Sequence, residues 1–162
     1  MLTGALATSY YGRARTTTDV DVVVAVRGKE WRTKLVLALK QADLVVDNKS
    51  IDDALKSGYR IVTLKDEKSP LTVDIILSDK KLEKKSGKIL GLPTFYQTPE
   101  ELILAKLRMI KVTVPQERTL KDVDDVKAIL KFSKVNLEVI KEKAKKDNTT
   151  KILEKIIEEK NK

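Results

Sequence analysis

Apolar residues follow two different periods along this chain, and the change between them comes near residue 98. Val20 to Val26 is a β-branched run broken only by Asp21, and Leu71 to Leu77 is a second such run broken only by Asp74. Both read as strands, as does Tyr59 to Leu64. The polar stretch Lys65–Pro70 suits a hairpin loop between the last two. Trp31, Leu35, Ala38, Leu39 and Ala42 recur at helical spacing and predict an amphipathic helix from about 30 to 42. Ser50–Leu55 predicts a short helix with Ser50 as N-cap and Asp53 completing a capping-box-like pattern. Ala5–Tyr11 predicts a first helix, opened after Thr3-Gly4 and closed by Gly12 as a C′ residue. Asp79–Lys88 is lysine-rich and apolar-poor, which predicts a flexible basic flap or a short solvated helix. Leu90–Tyr96, broken by Pro93, is extended at best.

After Thr98, a good N-cap, come Pro99 at N1 and the acids Glu100 and Glu101. Helices are expected from about 99 to 111, 118 to 131, 136 to 146 and 150 to 160. The expected architecture is therefore α/β over residues 1–97, with a small mixed sheet flanked by helices, followed by an all-helical region over 98–162. No internal repeat is visible.

The strands carry the chemistry. Asp19 and Asp21 lie two apart in Thr18-Asp19-Val20-Asp21-Val22-Val23-Val24, so on a strand both side chains point to one face, roughly 7 Å apart along the backbone. Like charges held that close repel unless a cation sits between them, and a carboxylate in an apolar strand is costly without a partner. A divalent metal bound by Asp19, Asp21 and Asp74 is the economical reading, and a solvated strand edge is the bland one.

Composition sharpens this. The chain has no histidine and no cysteine. Disulfides, thiolate or imidazole metal sites and Ser-His-Asp or Cys-His catalysis are thereby excluded. A metal would have to be a hard cation on oxygen ligands, Mg²⁺ or Mn²⁺. The 33 basic and 24 acidic residues leave a formal charge of +9, which favours anionic partners such as nucleotides or RNA. A Lys/Glu-rich thermophile surface accounts for the same surplus. No segment approaches the roughly 20 apolar residues of a membrane span and no signal peptide precedes the first motif, so a soluble, cytoplasmic protein is expected.

Upstream of the acid pair stand Thr3-Gly4-Ala5-Leu6-Ala7, Tyr10-Tyr11-Gly12, Arg15 and Thr17, giving Gly-x-x-Arg-x-Thr-x-Asp-x-Asp. With Asp74 on a later strand, this resembles the nucleotidyltransferase superfamily that shares the DNA polymerase β catalytic fold. Small stand-alone members akin to abortive-infection toxins are the most similar. The resemblance covers residues 3 to 77; Leu102, Lys106, Arg118, Lys121-Asp122 and Asp125 look like the helices that follow in those relatives. It implies Mg²⁺-dependent transfer of a nucleoside monophosphate from an NTP, ATP among them, to a hydroxyl, with release of pyrophosphate. Asp19, Asp21 and Asp74 would be the metal ligands and catalytic acids. Thr3, Gly4 and Ala5 at a helix N-terminus, with Arg15, Thr17 and Lys106, would hold the triphosphate. The acceptor would be an RNA end or tRNA, a protein or a small molecule. A protein partner or antitoxin is a further expectation.

Two departures support a rival reading, a catalytically silent nucleotide- or RNA-binding module. Gly4-Ala5 replaces the family's Gly-Gly or Gly-Ser, and the motif starts at residue 3, so that either a preceding helix and strand are missing or the start lies upstream. Several residues keep two readings. Arg15 contacts phosphate or pairs with an acid. Thr17 binds nucleotide or ties the loop to the strand. Lys106 reaches the triphosphate or lies on the surface. Lys80, Lys81, Lys84, Lys85 and Lys88 steer RNA or form a solvated loop. Tyr10 and Tyr11 stack on a base or pack beneath the helix. Asp122 and Asp125 read as helix caps or ion-pair partners rather than catalytic acids.

Overall fold

The computed structural model describes residues 1–65, 69–114 and 119–160. Their order is α1 (Gly4–Tyr11), β1 (Asp19–Ala25), α2 (Trp31–Gln41), α3 (Asn48–Lys56), β2 (Ile61–Lys65), β3 (Thr72–Ser78), β4 (Lys84–Ile89) and β5 (Leu92–Gln97). Four helices follow, α4 (Pro99–Val112), α5 (Leu120–Phe132), α6 (Leu137–Lys146) and α7 (Thr150–Lys160). The class is mixed α/β. Asp66–Lys68, inside the expected hairpin loop, and Arg118, at the start of an expected helix, lie outside the described residues. Among the described residues, no helix is long and apolar enough to cross a membrane.

The chain divides into two compact units, Met1–Leu6 with Thr16–Tyr96 and Ala7–Arg15 with Gln97–Lys162. One division falls between Tyr96 and Gln97, beside the change of pattern at Thr98. Residues 7–15, which sequence grouped with 1–97, belong to the helical unit.

The first unit is organised by a three-stranded sheet of order β1-β3-β2, with β1 and β3 parallel and β2 and β3 antiparallel. A parallel pair needs a long crossover, and α2, α3 and β2 supply it. Alternation then sorts the side chains. Val73, Ile75 and Leu77 of β3 and Val62 and Leu64 of β2 face the core, joined by Val24 of β1 and covered by Leu35, Leu39, Ile51 and Ala54 of α2 and α3. Burying a side chain of this size stabilises by about 1.5–3 kcal/mol, so the apolar side fixes the register. Met1–Thr3 continue the sheet beyond β1: Leu2 bridges Val22 in antiparallel fashion and Tyr96 of β5 in parallel fashion.

The basic segment expected as a flap or helix is instead β4, paired with β5 in a hairpin. Its two-residue turn, Leu90-Gly91, has φ of +48° and +82°, the combination of a type I′ turn. Lys84-Lys85-Ser86-Gly87-Lys88 carries no apolar alternation, so its strand conformation comes from the partner. The Tyr96 hydroxyl donates to the Lys88 carbonyl at 3.0 Å. Pro93 is tolerated because the pairing of β5 with Leu2 is at Tyr96, three residues further on.

Caps differ from expectation in three places. The α3 N-cap is Asp47, whose carboxylate accepts from the Ser50 amide at 2.5 Å, so Ser50 lies inside the helix. Thr98 occupies the α4 N-cap with extended backbone, yet its hydroxyl makes no capping bond. Gly12 follows α1 without a positive φ. A Cβ there would stand 3.1 Å from the Ala128 Cβ and 3.2 Å from its backbone carbon, so close approach and not turn geometry favours glycine. In the second unit, Leu102, Ile103, Leu104 and Leu107 of α4 are buried, as are Ile129 of α5, Ile140 of α6 and Leu153 of α7.

The Asp47 cap predicts a pH effect. The Ser50 amide is the main cause holding the carboxyl below its ordinary 3.8. The folded chain therefore binds this proton less readily than the unfolded one, so the cap's contribution is full above that value and fades as pH falls below it. Asp47→Asn keeps an acceptor but cannot titrate. Urea midpoints followed from about pH 2 to 7 should show a shallower acid limb for Asp47→Asn. Asp47→Ala should lower the midpoint throughout.

Candidate functional site

The sheet face opposite the core carries the acids. β1 and β3 pair with Asp19 beside Thr72 and Asp21 beside Asp74, and β2 pairs Thr63 with Asp74. Paired residues project to the same side, so Asp19, Asp21 and Asp74 share one face with Thr63 and Thr72. The Thr72 hydroxyl donates to Asp19 Oδ1 at 2.6 Å and the Thr63 hydroxyl to Asp74 Oδ1 at 2.5 Å.

Neighbouring strands run about 4.8 Å apart, which sets the Asp21–Asp74 spacing at backbone level. Two unit charges about 5 Å apart repel by roughly 1–3 kcal/mol, between the limits of bulk water and a protein surface. The Asp21 carboxylate lies against Gly4, the first residue of α1, where the positive end of the helix favours an anion. That interaction contributes about 0.3–1 kcal/mol, less than the upper range of the repulsion.

Gly4 is fixed twice over. Its φ of +57° is one that side chains avoid, and a Cβ would stand 1.9 Å from Asp21 Oδ2. The space that sequence reserved for a triphosphate beside this glycine is taken by the Asp21 carboxylate. Thr3 donates its amide to the Asp21 carbonyl at 3.0 Å, and Thr3 and Ala5 are both buried. Thr17 accepts from the Asp19 amide at 3.1 Å and donates to the Asp19 carbonyl at 3.2 Å, tying loop to strand.

The other two candidate residues belong to the second unit. Lys106 is buried, with Nζ 3.0 Å from Asp122 Oδ1 and 2.6 Å from Asp125 Oδ2. Arg15 Nη2 lies 3.3 Å from that same Asp125 oxygen. Of the two readings of Arg15, the acid-pairing one describes its position, and Lys106 is inside the unit and not on its surface. The missed partners were Asp122 and Asp125, three apart on one helical face. Sequence marks them as ion-pair candidates without saying with whom.

Whether these residues suit a cation turns on the donor set. Three carboxylates and two hydroxyls on one face are the oxygen donors that Mg²⁺ or Mn²⁺ selects, so the chemistry fits. Among the described residues, no group of three or more acidic side chains is already drawn together as a ligand set. What the backbone provides is the shared face and the register. No family model matches the chain, and no curated protein matches it.

Two variants test this geometry. Gly4→Ala should lower thermal stability and displace Asp21, seen as chemical-shift changes in β1. Lys106→Met leaves Asp125 with Arg15 alone. Removing one member of a buried pair costs about 3–5 kcal/mol, and the remaining arginine places the expected loss near 3 kcal/mol in urea unfolding. A loss below about 1 kcal/mol would show that the cluster does not depend on Lys106.

Proposed function

We propose that this chain is a metal-dependent nucleotidyltransferase with the DNA polymerase β-type catalytic fold. It would move a nucleoside monophosphate from an NTP to an acceptor hydroxyl. The observation that carries the reading is the in-register pairing of Asp21 with Asp74, with Asp19 two residues earlier on the same face.

Asp19, Asp21 and Asp74 would hold one or two Mg²⁺ ions. Their backbone positions are set by the strands, so closing on an ion takes side-chain rotation out of the bonds with Thr72 and Thr63. The bound metal would supply charge neutralisation on the triphosphate and on the oxygens exchanged at phosphorus. Asp74 accepts the proton of the acceptor hydroxyl. The bond from that oxygen to the α-phosphorus forms as the bond to the pyrophosphate oxygen breaks, in line. The start of α1 lies against the Asp21 carboxylate, so its amides would meet a phosphate only once Asp21 turns from Gly4 toward the ion.

A second reading, a silent binding module of the same fold, draws support from one observation. Arg15 and Lys106, which the family resemblance would give to the nucleotide, are both committed to Asp125.

Incubation with α-labelled NTPs, Mn²⁺ and total RNA separates the two. The transferase reading expects label transfer that falls at least about a hundredfold in Asp21→Asn, as losing several kcal/mol of metal stabilisation requires. Nucleotide binding without transfer would favour the silent module, and transfer that survives Asp21→Asn would refute the metal role.

A further inference from the structure

The β4–β5 ribbon has a face that the transferase reading does not use. The two-residue turn at Leu90-Gly91 sets Ser86 opposite Phe95 and Lys88 opposite Pro93, so Lys84, Ser86, Lys88, Pro93 and Phe95 project to one side. Phe95 is 46% exposed in a strand whose next residue, Tyr96, is buried. The Lys84 ammonium stands 3.8 Å from the centre of its ring. Lys80, Lys81, Lys85 and Lys88 are exposed on the same short stretch of chain, while the nearby Asp79 is already paired with Arg60. A half-exposed aromatic ring among lysines is the combination that binds unpaired bases and their phosphates together.

Its location adds a second argument. Leu2 pairs with both Val22 and Tyr96, so those three side chains share one side of the extended sheet. By alternation, Asp21 and Phe95 both project to the other side. Two strand spacings and one two-residue step separate them, roughly 12 Å at backbone level. The ring therefore stands on the same face as the acids, a few nucleotides' reach away.

We infer that this face is a binding platform for single-stranded nucleic acid. Phe95 stacks on an unpaired base, and Lys84 and Lys88 contact the flanking phosphates. Stacking outweighs the exposed cation–π contact, so Lys84 leaves the ring for a phosphate when a base arrives. The role of the bound strand as acceptor rests on the transferase reading; the binding does not.

The test is fluorescence anisotropy of the full chain with a short fluorescein-labelled oligoadenylate over a salt series, with a duplex of equal length as competitor. Wild-type protein should prefer the single strand. Phe95→Leu keeps an apolar side chain but removes the stacking surface, and should weaken binding roughly tenfold. The double variant Lys84→Ala/Lys88→Ala should flatten the slope of log affinity against log salt by about 1.4, from two lost phosphate contacts at about 0.7 each. Circular dichroism confirms that both variants fold. Binding of Phe95→Leu within about twofold of wild type, or equal binding of duplex and single strand, would overturn the platform. Phe95-dependent binding in a protein that transfers no label would uphold it and sink the transferase reading alone.

Discussion

Asp21 and Asp74 stand side by side on adjacent parallel strands, on a face they share with Asp19, and the first unit is built so that they cannot move apart. The restraint is applied from the other side of the sheet. Ile75 and Leu77 are almost fully buried beneath α2 and α3, together with Val62 and Leu64. Sliding β3 by one residue would turn those side chains outward and the carboxylate of Asp74 inward. The hydrophobic core thus supports a like-charge arrangement that by itself is unfavourable. Proteins carry such local costs where a site needs them, and a cation shared by the acids would turn the repulsion into attraction.

The same economy appears at the start of the chain. Met1–Thr3 extend the sheet from β1 towards β5, and the next residue turns into α1 through a positive φ. That turn brings the helix start against Asp21 with no side chain between them. One glycine thereby serves backbone conformation, close packing and electrostatics together. In the second unit, buried charge is handled differently. Lys106 is satisfied by Asp122 and Asp125, and Arg15 adds a second cation to Asp125. Here each ion has its counter-ion within the protein, whereas Asp19 and Asp74 are met by hydroxyls, which leave the negative charge in place.

How much of this was legible in the sequence follows from which forces decide each element. The strands with Val22 or Ile75 at their centre, and the four C-terminal helices, stand out because hydrophobic periodicity and burial agree. The acids stood out as polar interruptions of those runs, and period-two alternation already placed Asp19 and Asp21 together. Pairing of Asp21 with Asp74 was not readable, since register is a property of two strands and not of one. β4 was missed because its lysines carry no apolar alternation and its conformation is imposed by β5 and the Leu90-Gly91 turn. The visible Ser-x-x-Asp pattern points to Ser50 as the α3 cap, while Asp47 three residues earlier offers the same chemistry at the true boundary. Gly4 carries a related ambiguity: a glycine announces that something comes close without saying what, and in the structure that neighbour is Asp21.

The proposed site requires a cation to answer the repulsion among the three carboxylates, and calorimetric unfolding with and without Mg²⁺ addresses this most directly. Removing one charge should leave the metal-free protein as stable as wild type or more so, while abolishing the gain from the ion. A cation shared by the acids means that Mg²⁺ raises the melting temperature of the wild-type chain and leaves Asp21→Asn and Asp74→Asn unchanged. An equal rise in all three proteins, or none in the wild type, would contradict it.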